Sequence, residues 1–287
     1  MVRSSKPSVG LWRPAEAMVG GLRSMSGGSH DFLQILCIEA RRRVSEGYYR
    51  VPRIEEGLRV EGLREAIAKC RGNAVIAEFK RASPSLGAIS SSARTDYVVR
   101  AMEMGGACGI SVLTARERFG GSLEDLKTAR AVSKLPILMK DIIVSEEQIR
   151  AAHELGAQTV LLILRAFKRG YTEGTLSQAI RAARGYSLEV LLEACGRDEL
   201  LEAMGTDADI LGVNARDLSS LKVEKRIHEE AVRGVELDDR ILVAESGIET
   251  AEDIRRLRSL GYRAFLVGTS IMRSVGVEAK TRELVMA

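Results

Sequence analysis

Eight apolar runs of strand length follow one another after residue 70, with amphipathic stretches between them. The runs are 74–79 (AVIAEF), 109–114 (GISVLT), 136–141 (PILMKD), 159–164 (TVLLIL), 188–194 (LEVLLEA), 210–215 (ILGVNA), 241–246 (ILVAES) and 264–269 (AFLVGT). Most are apolar at consecutive positions, the pattern of strands covered on both faces. The stretches between them read as helices. In Ser145 to Leu155, Ser145 caps, Glu146 and Glu147 fill the first turn, and Ile149, Ala152 and Leu155 form the apolar stripe. Thr250 to Leu260 repeats that design. Eight strands alternating with helices predict an α/β protein, a closed parallel (β/α)8 TIM barrel. An open doubly wound sheet is the alternative, weakened because no GxGxxG follows the first strand.

An extra helical segment precedes the first strand. From Asp31, a reasonable N-cap, Phe32, Ile35, Leu36, Ala40 and Val44 recur at helical spacing. Gly57 to Cys70 reads as a second, shorter helix. Residues 1–29 are rich in Ser, Gly and Arg, with no apolar periodicity. They read as a disordered tail dispensable for activity, with Met18 and Met25 as alternative starts. A transit peptide is disfavoured because amphipathic periodicity is lacking. Residues 30–287 then form a single barrel domain.

Polar residues interrupt these runs near their carboxyl ends, the end of such a barrel that carries the site. The first run contains Glu78 and leads into Lys80, which share a strand face. The third reaches Lys140, the fifth Glu193, and the sixth Asn214 followed by Arg216. The seventh ends in Ser246-Gly247 and the eighth in Gly268-Thr269. A rim wetted by water explains any one of these, but poorly explains lone Lys, Glu and Asn residues closing buried strands. Gly247 and Gly268 place backbone N–H groups beside a short helix predicted over Ser270 to Arg273, a phosphate-binding arrangement where these barrels hold phosphate.

Composition narrows the chemistry. Lys and Arg number 43 and Asp and Glu 39, a net charge of +4 without a long basic run. With aromatics at 4%, this argues against a nucleic-acid surface and suits a small anionic substrate. No apolar run reaches membrane-spanning length. Cys37, Cys70, Cys108 and Cys195 fit no metal-binding spacing and read as reduced cytosolic thiols. His30, His153 and His228 stand at no predicted strand end, so none is assigned to catalysis.

The segments EFKRASPS, SVLTARERFGGS, ILMKD, LLEACGRDEL, GVNARDL, VAESGI and FLVGTSIM resemble, in order, the motif series of indole-3-glycerol-phosphate synthase. The resemblance runs from about Asp31 to Met286. It implies conversion of 1-(2-carboxyphenylamino)-1-deoxyribulose 5-phosphate to indole-3-glycerol phosphate, with loss of carbon dioxide and water, in tryptophan biosynthesis. It implies Lys140 as the general acid of ring closure, its pKa lowered by a neighbouring cation and partial desolvation. Glu193 would be the acid or base of dehydration, with Glu78, Lys80 and Asn214 completing the catalytic set. Ser83, Phe119, Arg216 and Ser246 would hold the substrate, with Phe119 a wall for the aryl ring. Lys80, Gly247, Gly268 and Thr269 would bind its phosphate.

Ring closure places an iminium beside the departing carboxylate, so no metal and no cofactor is expected. A cytoplasmic location and weak association with other tryptophan-pathway enzymes are implied as well. The sequence departs from the family pattern at Leu86, Ile142 and Ala194-Cys195. Phosphoribosylanthranilate isomerase is the competing enzyme reading, but its expected Cys and Asp pair is missing from the strand ends. A non-catalytic barrel subunit is the other alternative.

Overall fold

Parallel pairing joins all eight apolar runs into one closed sheet, which excludes the open doubly wound alternative. The computed structural model describes residues 31–53, 60–237 and 239–287, so the expected tail at 1–29 lies outside the described residues. The barrel strands are β1 (Ala74–Phe79), β2 (Gly109–Leu113), β3 (Ile137–Lys140), β4 (Thr159–Ile163), β5 (Glu189–Ala194), β6 (Ile210–Asn214), β7 (Ile241–Glu245) and β8 (Ala264–Val267). They follow chain order around the barrel, and Ile76 opposite Leu266 closes β1 on β8. Helices α1 (Phe32–Ser45) and α2 (Leu63–Lys69) precede β1. The described part of α2 thus starts later than the Gly57 expected, and 54–59 lie outside the described residues. A short hairpin, Ala82–Ser83 against Gly87–Ala88, follows β1 and was not anticipated. Among the described residues, no helix is long and apolar enough to cross a membrane.

Alternation along each strand divides the apolar residues into two layers. Val75, Ala77 and Phe79 of β1 face outward and pack with Ile110, Val112, Val160 and Leu162 against the helices. Ala74 and Ile76 face inward and fill the barrel with Leu138, Leu161, Leu191, Val243 and Leu266. These side chains are nearly or fully buried, each stabilising the fold by about 1.5–3 kcal/mol if it is a large aliphatic residue. Two of the helix caps the sequence suggests are formed. Ser145 and Thr250 each form a capping box with the residue three positions on.

The two N-terminal helices close opposite ends of this interior layer. Leu63 and Ile67 of α2 pack with Ala74, Ile210, Ile241 and Ala264 at the strands' amino ends. The N-terminus of α2 has no local side-chain cap; instead Glu189, at the start of β5, accepts from Leu63 N at 2.6 Å and Arg64 N at 3.2 Å. At the other end Leu33, Leu36, Cys37 and Ala40 of α1 complete the layer. Asp31 marks the start of α1 as expected but makes no capping bond. Its carboxylate is drawn off by Arg169 and by Tyr171, whose hydroxyl donates at 2.9 Å.

Arg43 pins α1 to the barrel. Its guanidinium donates to Asp141 at 3.0 Å, to Glu117 at 2.5 Å and to Tyr49 Oη at 2.9 Å. Asp141 is buried and also accepts from Tyr49 and Thr114, at 2.8 and 2.6 Å. Arg43→Met would leave that carboxylate without its cation. The expected loss is about 3–5 kcal/mol, the scale of a broken buried pair, measured by denaturant unfolding. A loss under about 1 kcal/mol, the value of a surface pair, would show that the bridge does not hold α1.

Candidate active site

The inward parity that fills the barrel also aims five polar side chains at its axis near the carboxyl ends. They are Glu78 on β1, Lys140 on β3, Glu193 on β5, Asn214 on β6 and Glu245 on β7. Register sets them side by side: Glu193 pairs across to Gly212, and Asn214 to Glu245. Glu245 is fully buried, and the sequence reading missed it by stopping at Ser246. Its signal was the alternation Ile241, Val243, Glu245, which gives this residue the same face as two core positions.

Lys140 stands among carboxylates. Its Nζ lies 2.8 Å from Glu245 Oε2 and 3.3 Å from Glu78 Oε2, while Lys80 Nζ donates to Glu78 Oε1 at 2.7 Å. The expectation of a lowered Lys140 pKa is therefore corrected. Burial opposes the ammonium, but Glu245, Glu78 and Glu193 outweigh it and hold its pKa well above the usual lysine range. Glu78 is also desolvated, yet Lys80 and Lys140 bring it down to about 2. Glu193 goes the other way. Burial, then repulsion from Glu245, raises it to about 8, against the smaller pull of Lys140 and a hydrogen bond from Asn214. Two carboxyls of one cluster thus differ in protonation at neutral pH, a pattern that assigns acid and base roles.

Close packing leaves these groups little freedom. A Cβ at Gly212 would lie 2.3 Å from Glu245 Oε1, and one at Gly268 would lie 2.4 Å from Glu78 Oε1 and 3.0 Å from Lys80 Nζ. Both glycines make room for carboxylates. Glu245 Oε1 and Ser83 Oγ are buried without a hydrogen-bond partner among the described residues.

Two adjoining compartments open above the cluster and share Glu78, Lys80, Lys140, Arg216, Leu221 and Ser246. The first, ≈ 680 Å³, is walled by Leu113, Phe119, Ile142, Leu161, Ile163 and Leu218, with Glu193, Asn214 and Ser83 at its edge. The second, ≈ 1130 Å³, is lined by Gly247, Gly268 and Thr269 together with Lys225 and Arg273. Each site residue expected from the sequence thus lines one or both compartments. The cations Lys225 and Arg273 were missed, being outside the strand-end pattern. Ser246 adopts φ +66° and Gly247 φ +73°, a left-handed turn that is costly for serine and typical of functional sites. The helix expected at Ser270 is a single turn, Thr269–Met272. Arg216 donates to Ser85 Oγ at 2.7 Å, which ties the β1 hairpin over the mouth. Arg81 of the same segment turns away and grips Asp125 at 2.6 and 2.8 Å, a structural role.

Comparison with known proteins gives this geometry a family. The family model of indole-3-glycerol phosphate synthase matches residues 48–284. An indole-3-glycerol phosphate synthase of Sulfurisphaera tokodaii is 44% identical over 213 residues, covering 74% of this chain and 82% of its own. That of Koribacter versatilis is 41% identical over 216 residues, covering 75% and 80%. Among solved structures, thiamine phosphate pyrophosphorylase from Pyrococcus furiosus aligns with a TM-score of 0.55 over 78% of this chain and 96% of its own. At 18% identity that likeness concerns the fold alone. The family match contains every barrel strand and every polar side chain gathered on the axis, and the chain belongs to the indole-3-glycerol phosphate synthase family.

Proposed function

We propose that this chain closes the pyrrole ring of 1-(2-carboxyphenylamino)-1-deoxyribulose 5-phosphate, yielding indole-3-glycerol phosphate, carbon dioxide and water. The observation that carries the reading is the position of Lys140. A charged amine stands where an apolar compartment meets a cationic one, which suits a substrate with an aryl ring at one end and a phosphate at the other. Phe119 and Ile142 would flank the ring. Lys80, Arg216, Lys225 and Arg273 would face the phosphate, helped by backbone amides near Gly247, Gly268 and Thr269. Ser83 and Ser246 would take substrate hydroxyls or the carboxylate, and the unpartnered Ser83 Oγ supports that role. The family leaves the isomerase alternative without support, and the assembled cluster speaks against a non-catalytic barrel. A cytoplasmic setting and weak association with other enzymes of tryptophan synthesis are further parts of this proposal.

The residues divide the work as follows. The ring carbon bearing the carboxylate attacks the ketone, driven by the aniline lone pair, and the nitrogen becomes an iminium. Lys140 gives its proton to the ketone oxygen; a forming alkoxide is more basic than an amine, so a lysine held charged still transfers. Carbon dioxide then leaves, its bonding pair restores the arene, and the nitrogen regains its lone pair. In the second half the new hydroxyl departs as water with the proton of neutral Glu193. The adjacent methylene loses a proton to the Lys140 amine, which recovers its charge. Glu193 is reprotonated by solvent, and the net uptake of one proton matches decarboxylation of a carboxylate. Glu78 and Glu245 keep the Lys140 ammonium oriented, and Asn214 holds Glu193.

Incubation with the substrate while following indole fluorescence tests the assignment directly. Lys140→Arg keeps the positive charge of the cluster but cannot release a proton near neutral pH. It should remain folded and lose about 100-fold or more in kcat, the scale of a missing general acid. Wild-type turnover in that variant would remove Lys140 from proton transfer.

Because Glu193 acts here as an acid, kcat/KM should fall as pH rises through about 8, where the free enzyme loses this proton. Glu193→Gln should be about 100-fold slower or worse and should lack that alkaline limb. An unchanged limb in Glu193→Gln would assign it to another group.

Gly268→Ala places a methyl against Glu78 and Lys80, so steady-state kinetics should show both a raised KM and a lowered kcat. A change in KM alone would mean that the added methyl disturbs phosphate binding without touching the chemistry.

A further inference from the structure

His228 has no part in the chemistry above, yet it touches the main chain of the site. It lies on the helix Arg226–Val232, behind β6 and β7, and is 1% exposed. Its Nε2 is 3.1 Å from the backbone oxygen of Glu245. A carbonyl oxygen can only accept, so the hydrogen resides on Nε2 and Nδ1 is bare. Nδ1 is buried with no hydrogen-bond partner among the described residues. The same Glu245 oxygen accepts from Ala215 N at 2.9 Å, which links β7 to the end of β6. One residue later Ser246 turns into the left-handed region.

The ring itself is held firmly. Tyr262 packs edge-on against it, 5.5 Å between centroids, and the Tyr262 hydroxyl donates to the His228 carbonyl at 2.9 Å. Burial, reinforced by Arg256 and opposed by the Glu245 carbonyl, the Val213 backbone and Asp253, depresses the imidazole to about 4. It is therefore a neutral donor throughout the working range. An apolar side chain would fill this space without burying an unpartnered nitrogen, so the imidazole contributes something other than packing.

We propose that His228 is a positioning residue for Glu245: its Nε2–H fixes the backbone at the end of β7, so the Glu245 carboxylate stays on Lys140 and beside Glu193. The inference rests on the synthase reading for its kinetic consequence, but its structural content does not. Without that anchor only the Ala215 N–H holds the carbonyl, next to a strained turn, and the buried carboxylate gains room to move away from its neighbours.

The test reads Glu193, whose surroundings are Glu245, Lys140, Asn214 and Glu199. Its protonated carboxyl is followed by infrared absorption during a pH titration of the substrate-free protein, the band being assigned by its loss in Glu193→Gln. The wild-type midpoint is expected near about 8. In His228→Leu the midpoint should fall by about half a pH unit or more, because the repelling carboxylate is no longer held close. His228→Gln, whose amide nitrogen reaches the position of Nε2, should restore it. In turnover, His228→Leu should lower kcat about 10-fold with KM within about two-fold, the mark of a misplaced group rather than lost binding. Thermal unfolding identifies variants that fail to fold; if His228→Leu does, His228→Asn, polar but too short to reach the carbonyl, takes its place. A folded variant lacking the donor that keeps both the wild-type midpoint and wild-type kcat overturns the proposal. A wild type without turnover would sink the synthase reading, and the infrared titration would still decide the role of His228.

Discussion

Charge balance on a largely buried barrel axis governs this structure. Two ammonium groups, Lys80 and Lys140, face two carboxylates, Glu78 and Glu245, and Glu193 keeps its proton. Ionising Glu193 would add a buried negative charge beside Glu245, and neutralising Lys140 would take from Glu245 the ammonium it pairs with, while Glu78 would keep Lys80. The cluster therefore holds Lys140 charged, Glu78 ionised and Glu193 protonated at neutral pH. The same constraint supplies a charged donor and a neutral carboxyl within one small volume.

Geometry supports that balance from outside the cluster. Alternation along β5, β6 and β7 lets Glu193, Gly212 and Glu245 share the inner face, and the missing side chain of Gly212 becomes the space for a carboxylate. Arg43 binds Asp141, the residue after Lys140, and so ties the entry helix to the strand that carries the amine. At the far end Glu189 caps α2 from β5, closing the interior layer without a local capping residue. An extra helix at each end of the barrel thus rests on a carboxylate at or beside the end of a barrel strand.

The architecture was legible because each barrel strand is a nearly unbroken apolar run bounded by helix signals such as Ser145 and Thr250. Parity also put Glu78 and Lys80 on one face, and the strand ends brought Lys140, Glu193 and Asn214 to the same mouth. Glu245 was overlooked because a strand end was read by its last residue instead of its inward face. The pKa of Lys140 was misjudged for a related reason: Lys80 is near, but the three carboxylates that decide the sign come from β1, β5 and β7. Electrostatic environments are sums over residues remote in sequence, and pattern reading sees only neighbours along the chain. Asp31 shows the local version of the same limit, a good capping residue claimed by Arg169 and Tyr171.

The spans of these contacts bear on how the molecule assembles. Lys140 and Glu245 stand 105 positions apart, and Arg43 and Asp141 stand 98 apart. Contacts of such span form late, after the loops between them have been closed. Until β7 docks, Lys140 has Glu78 but no Glu245 to balance it. A barrel lacking its last two strands would lose Val243 and Leu266 from its inner layer together with Glu245. The ionic centre is accordingly complete only when β7 stands in the sheet, so the strand that supplies Glu245 joins barrel closure to charge balance.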